Sequence, residues 1–361
     1  MDKKISIIIP TWNNANLLKK CIISILNNTK SNQFEIIIID NGSTDNTQNI
    51  ISEFHSTHKI HYVFNQKNLG FAKASNLGAL HANNKYLVFL NNDTEVLPGW
   101  DIELLNCLIT DDRIGVAGGK LLYPDRTIQH AGIAFDQRTV FHIYRHFHHL
   151  HPAVNKKREF QAVTGACFLI SKELFLSAGM FDESFINGFE DLDFCFRIRK
   201  NGYKVFYTPA STIIHHESKT PGRHFHHHEN AELFSKRWKN DIVYDIDYIY
   251  AKDGLRPLKP GKNTPQGIWF KDTNPNPLWS MAQPLYKSGK TREAIVALTE
   301  ALRFNPYDLR KLLIIEELGD LHFNHNNFRA AKACFLAIAS IINIPRVSNK
   351  IQNINKLLSK Q

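Results

Sequence analysis

The fold is decided by the start of the chain, where residues 5–40 read ISIIIPTWNNANLLKKCIISILNNTKSNQFEIIIID. The β-branched run Ile5–Ile9 is closed by Pro10, which predicts a strand buried on both faces. Residues 15–28 carry apolar side chains at helical spacing, and Phe34–Ile39 predicts a second buried strand. A strand, a helix and a second strand in this order predict a βαβ unit with two parallel strands.

The same alternation continues as far as residue 93. It predicts a helix at Thr44–Phe54, a strand at Ile60–Phe64, a helix at 71–83 and a strand at Tyr86–Leu90. Polar residues follow three of the predicted strands, namely Thr11 with Asn13, Asp40, and Asp93. Because ligands of parallel α/β sheets bind beyond the carboxyl ends of the strands, we expect the functional site at this edge.

The middle of the chain, from about residue 116 to residue 216, has shorter predicted elements. These are strands at Cys167–Ile170, Lys204–Tyr207 and Thr212–Ile214 and a helix at about Asp191–Lys200. Residues 136–160 are irregular and rich in histidine and basic side chains, which predicts a loop over the sheet. The runs His146–His151 and His224–His228 are interpreted as solvated loops, and 225–239 as a helix that leaves the domain.

A change in composition marks the end of the first domain. Residues 256–277 contain five prolines and two glycines, a density that stops regular elements and is typical of a linker. We therefore predict a first domain over 1–255, a linker over 256–276, a helical segment over 277–345 and a C-terminal tail over 346–361.

Two stretches after this linker share the spacing of a tetratricopeptide repeat (TPR), whose period is about 34 residues. The first stretch has Tyr286, Gly289, Ala294, Ala301 and Pro306, and the second has Leu318, Gly319, Phe323, Phe328, Ala331 and Phe335. They predict a small all-α, TPR-like domain, with a generic bundle of helical hairpins as the alternative. Because about three repeats are usually needed for stability, we expect the segment to pack on the first domain or on a second copy in a homo-oligomer.

The composition and net charge indicate which class of protein this chain belongs to and what kind of partner it binds. Apolar residues make up 43% of the 361 residues and charged residues 22%, which is typical of a globular protein. Lysine plus arginine number 44 against 34 for aspartate plus glutamate, and the net charge of +10 favours an anionic partner. No basic helix or aromatic RNA-binding motif accompanies this charge, so a nucleic acid is not expected.

Cysteine usage and hydropathy indicate the compartment. The five cysteines are scattered without a CxxC pair, which predicts reduced thiols rather than disulfides or a zinc site. The N-terminal apolar run is too short for a signal peptide, and no run approaches the roughly 20 residues that span a bilayer. These features predict a cytoplasmic protein that at most contacts the inner face of a membrane peripherally.

Three clusters of polar residues could carry chemistry. Asn91-Asn92-Asp93 ends a predicted strand and could hold a divalent cation through oxygen atoms, although such residues also favour turns. Glu190, Asp191 and Asp193 start a predicted helix, where they could supply a general base or complement the helix dipole. His215-His216-Glu217 follows a late strand and could ligate a metal, although 18 histidines make chance adjacency common.

The order of these features along the chain resembles one family. The matching stretches are IIIPTWNN (7–14), IIIIDNGSTDNT (36–47), NLGFAKASNLG (68–78), YLVFLNNDTEVLPGW (86–100), VTGACFLISKELFLSAGMFDESF (163–185), FEDLDFCFRIRKNGYKV (189–205) and IIHHES (213–218). Over residues 3–250 the chain resembles the inverting nucleotide-sugar glycosyltransferases of family 2, which have the GT-A fold. It is especially similar to rhamnosyltransferase-like members that build bacterial surface polysaccharides such as O-antigen. The resemblance implies a Rossmann-like, mostly parallel α/β sheet.

The resemblance also implies the residues that bind the donor. They are Pro10, Thr11, Asn13 and Asp40 near the nucleoside, Asn68, Gly70 and Lys73 near the diphosphate, and Asn91, Asn92 and Asp93 at the family's DxD motif. Asp93 is expected to hold a divalent cation, Mn²⁺ or Mg²⁺, with His215 as a second ligand and His216 in reserve. Asn91 stands where the family has aspartate, which weakens the expected metal site.

The remaining implied roles concern the acceptor. Asp191 matches the catalytic base, Glu190 matches the neighbour that positions the acceptor or the base, and Gly165 and Ala166 line the acceptor site. We therefore expect transfer from a UDP- or dTDP-sugar to a hydroxyl of a glycan or a lipid-linked acceptor. Two alternatives stay open: transfer to a protein acceptor recruited by the TPR-like repeats, and a non-catalytic TPR scaffold with a degenerate transferase domain.

Overall fold

The computed structural model describes residues 4–31, 33–55, 60–137, 140–217, 225–258 and 269–359. The described residues form two compact units. The first unit draws on Met1–Arg145 and Val154–Asp245, and the second on His146–Ala153 and Ile246–Gln361. The chain therefore passes from one unit to the other three times.

The first unit alternates strands and helices along its first half, as the sequence predicts. Its strands are β1 (Ile5–Thr11), β2 (Phe34–Asp40), β3 (Ile60–Phe64), β4 (Tyr86–Leu90), β5 (Thr94–Val96), β6 (Ile114–Leu122), β7 (Ile128–His130), β8 (Ile133–Phe135), β9 (Val140–His142), β10 (Arg158–Phe160), β11 (Cys167–Ser171) and β12 (Lys204–His215). Its helices are α1 (Ala15–Asn28), α2 (Thr47–His55), α3 (Phe71–His81), α4 (Trp100–Ile109), α5 (Lys172–Ser177), α6 (Glu190–Lys200) and α7 (His227–Trp238). A short 3₁₀ helix covers Pro152–Asn155.

Ten of the described strands form one sheet. Eight of them follow the order β10-β12-β6-β11-β4-β1-β2-β3, while β5 pairs with β12 and β7 pairs with β6. Strands β1, β2, β3 and β4 are parallel neighbours, and β12 runs parallel to β6. Strand β11 is antiparallel to both β4 and β6, so the sheet is mixed. The pairs formed among β1, β2, β3 and β4 are all parallel. This is a GT-A-like α/β fold.

The late strand of the sheet differs from its prediction in one respect. The two predicted strands Lys204–Tyr207 and Thr212–Ile214 are the two ends of the single strand β12. Its register against β6 shifts between Thr208 and Thr212, around Pro209, which has no backbone N–H to donate to a sheet. The sequence therefore marks the irregularity correctly but divides the strand at it.

Close packing between the sheet and helix α3 fixes one side of the site. The residues of β1 are buried throughout, as the β-branched run predicts. Gly78 faces this strand, and a Cβ atom at that position would overlap Cγ2 of Ile8. The glycine therefore lets α3 lie directly on the sheet and brings the N-terminus of the helix to the edge where β1 and β2 end.

The second unit is mainly helical. It contains α8 (Ile246–Lys252), α9 (Pro277–Lys287), α10 (Thr291–Ala301), α11 (Lys311–Asn324), α12 (Phe328–Ala339) and α13 (Pro345–Leu358), together with strands β13 (Leu255–Pro257) and β14 (Phe270–Asp272). Successive helices from α9 to α13 pack against one another. Alanines 282, 294 and 301 are buried between α9, α10 and α11, which lets the helices approach closely.

One expectation for this part of the chain needs correction. The proline-rich segment is not free of regular elements, because β13 and β14 pair in antiparallel fashion near its two ends; its residues 259–268 lie outside the described residues. The predicted tail is helical as far as Leu358. The domain bounds predicted from composition stay predictions, and the contacts assign residues 246–255 of the predicted first domain to the second unit.

The histidine run His146–His151 is not a solvated loop. His148 and His151 are buried, and His151 Nε2 lies 2.8 Å from Oδ2 of Asp272, with both side chains fully buried. Asn305 donates to the same carboxylate oxygen at 2.9 Å. Segment 146–153 therefore contributes buried side chains to the core of the second unit, although His146 and Leu150 are exposed. In the other run, His224 lies outside the described residues and His226–His228 are exposed.

Within the part of the chain that the structure describes, no helix combines the length and the apolar character needed to cross a bilayer.

Candidate active site

The ends of strands β1, β2 and β4 lie together, as the parallel topology predicts. Thr11 is in register with Asp40, and its carbonyl oxygen accepts from the backbone N–H of Asn41 at 2.8 Å. The side-chain amide of Asn92 donates to Oγ1 of Thr11 at 2.7 Å. Beyond β1, Asn13 takes a positive φ of 58°, which turns the chain from Pro10 and Thr11 towards α1.

Asp40 is buried at the end of β2, and both of its carboxylate oxygens have donors. Oδ1 accepts from the backbone N–H of Ser43 at 2.9 Å, and Oδ2 accepts from the hydroxyl of Tyr62 at 2.9 Å. Burial and the negative charge of Asp40 raise the pKa of Tyr62 well above its usual value, so the phenol stays a donor. Tyr62 therefore fixes the carboxylate, a role that nothing in its sequence context indicates.

The N-terminus of helix α3 approaches the same edge. Asn68 accepts from the backbone N–H of Gly70 at 2.9 Å, and the carbonyl oxygen of Gly70 accepts from the side-chain amide of Asn41 at 3.2 Å. Gly70 has a φ of 81°, in the region that favours glycine. Lys73 is about half exposed on the first turn, and its ammonium lies 3.8 Å from the carboxylate of Glu183.

Asp93 and His215 meet directly behind the strand ends. Strands β5 and β12 pair so that His215 lies opposite Thr94, next to Asp93. Nε2 of His215 is 3.0 Å from Oδ1 of Asp93, and Nδ1 is 2.6 Å from Oε1 of Gln129. Asp93 is 8% exposed and His215 is 3% exposed, so solvent competes little with this contact.

His216, the reserve metal ligand, points elsewhere. Its Nε2 lies 2.7 Å from Oε1 of Glu95, although its backbone N–H donates to the carbonyl oxygen of Asp93 at 2.9 Å. The pairing of the two histidines with different acidic residues favours His215 as the partner of Asp93. Ser218, the last residue of the matching motif, lies outside the described residues.

The three carboxylates at the start of α6 have separate partners. Asp191 Oδ2 accepts from the backbone N–H of Gly165 at 2.7 Å, and Glu190 Oε2 accepts from that of Gly188 at 2.6 Å. Asp193 is fully buried and binds Arg197, Arg237 and Trp238, with donor distances of 2.8, 3.1 and 2.9 Å. Asp193 therefore serves the core, which differs from the shared site that the sequence suggests.

Contacts through β11 link Asp191 to the strand ends. The carbonyl oxygen of Ala166 accepts from the backbone N–H of Asn91 at 3.1 Å, directly after β4. A Cβ atom built on Gly165 would lie 3.1 Å from Cβ of Asp191 and 3.5 Å from the ring of Phe71, at the start of α3. The donor-side, metal-side and acceptor-side residues predicted from the sequence therefore lie along one edge of the sheet.

The structure adds site residues that the sequence does not reveal. Gln129 lies behind His215, Tyr62 lies beside Asp40, and Asn187 accepts from the backbone N–H of Phe71 at 3.1 Å. Each comes from a chain segment remote from its partner. Among the described residues, no group of three or more histidine, cysteine, aspartate or glutamate side chains is placed to hold a metal ion.

Comparison with known proteins finds a family model that matches part of this chain. Residues 6–177 match the model described as "Glycosyl transferase family 2". The chain is 30% identical over 262 residues to "Uncharacterized protein y4gI" of Sinorhizobium fredii; the match covers 68% of this chain and 28% of that protein. It is 30% identical over 274 residues to "O-antigen biosynthesis protein RfbC" of Myxococcus xanthus, a match that covers 73% of this chain and 20% of that protein.

A solved structure supports the fold. The crystal structure of GalNAc-T7 with UDP, GalNAc and Mn²⁺ has a TM-score of 0.54 and 19% sequence identity, covering 69% of this chain and 50% of that one. The two sequence relatives above are much longer than the region they share with this chain, which spans only 28% and 20% of their lengths.

Proposed function

We propose that the chain is an inverting glycosyltransferase that moves a sugar from a nucleoside diphosphate donor to a hydroxyl group of an acceptor. The donor is a UDP- or dTDP-sugar, and Asp93 and His215 would hold a divalent cation, Mn²⁺ or Mg²⁺, that stabilises the charge of the diphosphate. Asp191 is the general base. The observation that carries the proposal is the contact of Asp93 with His215 at the edge that also holds Thr11 and Asp40.

The geometry of the pair suits a metal ion. Two ligands that occupy neighbouring positions around one ion, each at about 2.1 Å, lie about 3.0 Å apart. Oδ1 of Asp93 and Nε2 of His215 are 3.0 Å apart. A carboxylate oxygen with an imidazole nitrogen is a donor set that Mn²⁺ accepts.

Asn91 stands where the family's DxD motif has its first aspartate. Its position next to His215 is compatible with a cation held by Asp93 and His215. Its side-chain nitrogen is 3.3 Å from Nε2 of His215, so the residue borders the proposed ion without adding a charge. The cation would stabilise the negative charge of the departing nucleoside diphosphate. Fewer negative ligands leave more of that positive charge for the diphosphate.

The donor side follows from the strand ends. Asp40, with its two donors, is buried where β2 ends and is proposed to accept from the nucleobase. Pro10, Thr11 and Asn13 line the turn beside it. The N-terminus of α3, with Asn68 and Gly70, suits the diphosphate because a helix N-terminus favours anions.

The acceptor side is proposed to centre on Asp191. Its carboxylate accepts from the backbone N–H groups of Gly165 and Leu192 at 2.7 and 2.8 Å, which fixes its orientation. A carboxylate oxygen has two lone pairs, so it can accept a backbone N–H and also the proton of a hydroxyl group. The oxygen of the acceptor attacks the anomeric carbon as the diphosphate leaves, and Asp191 takes the proton. Glu190 holds the turn at Gly188 that precedes α6 and is proposed to position the acceptor with Gly165 and Ala166.

The O-antigen relative supports a glycan or lipid-linked acceptor in bacterial surface polysaccharide synthesis. We propose a cytoplasmic enzyme with peripheral contact at the inner membrane face. We also propose that the helices from α9 to α13 are TPR-like and bind the acceptor, a protein partner or a second copy of the chain.

A donor screen by ligand-induced thermal shift tests the proposal. A ligand at 100 times its Kd adds about 2.7 kcal/mol to the free energy of unfolding, so the right nucleotide sugar raises Tm by several degrees. The shift is expected to need Mn²⁺ or Mg²⁺ and to be lost in Asp93→Ala. Asp112→Ala, which removes an exposed carboxylate, is the matched control. A chain that no nucleotide sugar stabilises with either ion would instead be the scaffold alternative.

A further inference from the structure

His215, one of the two proposed metal ligands, forms hydrogen bonds with the buried side chain of Gln129. Gln129 lies on the short strand β7 and is 4% exposed. Its Oε1 is 2.6 Å from Nδ1 of His215, and its Nε2 donates to the carbonyl oxygen of His215 at 3.2 Å. The side-chain amide of Gln129 therefore binds both the ring and the backbone carbonyl group of His215.

The partners of this amide determine which end faces the ring. Nε2 of Gln129 also lies 3.5 Å from Oε2 of Glu217, so its two hydrogens point towards two oxygen acceptors. The guanidinium of Arg145 holds Glu217 in place at 3.2 Å. Oε1 of Gln129 is thus left for the ring, and because a carbonyl oxygen only accepts, Nδ1 of His215 must carry a hydrogen.

This hydrogen bond fixes the tautomer. A neutral imidazole that carries its hydrogen on Nδ1 has its lone pair on Nε2. The side-chain nitrogen of Asn91, a donor, lies 3.3 Å from this Nε2 and is consistent with that assignment. Oδ1 of Asp93 lies 3.0 Å from the same nitrogen. Two acceptors at this distance need a proton or a cation between them.

We propose that Gln129 is a positioning residue that selects the Nδ1–H tautomer of His215 and thereby directs the lone pair of Nε2 to the cation shared with Asp93. The inference rests on the proposed function, which supplies the cation. Ligating histidines in proteins commonly donate their second ring N–H to an oxygen, and loss of that oxygen typically weakens metal binding about 10- to 100-fold. Glu217 and Arg145 act one step further back, by orienting the amide of Gln129.

The chain offers a matched control for removing this amide. Gln161 is also 4% exposed and uses its amide for several hydrogen bonds, with the backbone of Val243 and the carboxylate of Asp245. Gln161→Met and Gln129→Met therefore remove the same group from equally buried positions. Of these two glutamines, only Gln129 contacts His215. Only Gln129→Met should therefore weaken metal binding.

The test is a titration of the full chain with Mn²⁺, followed by the electron paramagnetic resonance signal of the free ion. Wild type and Gln161→Met are expected to bind Mn²⁺ with the same Kd, whereas Gln129→Met raises this Kd about 10- to 100-fold. Unchanged binding in Gln129→Met would overturn the inference but leave the proposed function standing. If His215→Ala binds Mn²⁺ as wild type does, the metal site itself is wrong.

A second measurement reads the ring of His215 in the wild type. In full chain labelled with ¹⁵N-histidine and saturated with Mg²⁺, which is diamagnetic, the His215 signals are those missing from His215→Ala. They are expected to show an Nδ1 that carries a hydrogen and an Nε2 that carries none. A protonated Nε2 with a bare Nδ1 would contradict the role of Gln129 directly.

Discussion

Protonation of the buried histidine His148 should destabilise the second unit at mildly acidic pH. The side chain of His148 is 8% exposed, and burial lowers its pKa from 6.5 to about 4. The positive charges of His149, Arg303 and His151 act in the same direction, while the carboxylate of Glu300 lies 3.7 Å away. The neutral form is therefore the one that the folded chain accommodates.

The sign of the effect follows from proton binding. Because the folded pKa is depressed, the unfolded chain binds more protons than the folded one between about pH 6.5 and about pH 4. The free energy of unfolding is thus complete above this window and falls as the pH drops through it. The full loss through His148 is about 3 kcal/mol, of which about 2 kcal/mol appears between about pH 7.5 and about pH 5.

Urea unfolding of wild type and His148→Gln at the two pH values measures this contribution, because other titrating groups cancel in the difference. The stability difference, wild type minus variant, is expected to fall by about 2 kcal/mol from the higher pH to the lower. A difference that is equal at both pH values, within about 0.5 kcal/mol, would refute the burial of an uncharged His148 and the place of segment 146–153 in the core.

Two further predictions concern the first unit. Asp191→Asn should lower transfer by about 10²- to 10⁴-fold while the donor-induced rise in Tm stays, because only the base is lost; equal loss of donor binding would contradict its role. Gly132→Ala should cost about 3 kcal/mol or more in urea unfolding, since its φ is 113° and a Cβ would overlap the ring of Phe160. Gly202→Ala, with a φ of 85° and open space, should cost only about 1–2 kcal/mol, and equal costs would show that the ring gives way.

The parts of the fold that follow from local pattern are predictable from the sequence. Helix α1 has the bounds expected from its apolar spacing, and β1 is buried on both faces as its β-branched run predicts. The meeting of Thr11, Asp40 and Asn92 follows from the rule that parallel strands end at one edge.

The contacts that complete the site come from distant segments and carry no local signal. Gln129 and His215 are 86 positions apart, and Asp191 meets Gly165 through a backbone N–H that any residue but proline would offer. The histidine run 146–151 misleads for the same reason. Its composition suggests exposure to solvent, but His151 is buried. Asp272, the partner that stabilises it, is 121 positions away.

Anomalous diffraction from crystals grown with Mn²⁺ and UDP or dTDP shows whether Asp93 and His215 hold the cation together. We expect one manganese peak about 2.2 Å from both Oδ1 of Asp93 and Nε2 of His215, in contact with the diphosphate. A bound nucleotide whose manganese lies elsewhere, with Asp93 and His215 still in direct contact with each other, would contradict it.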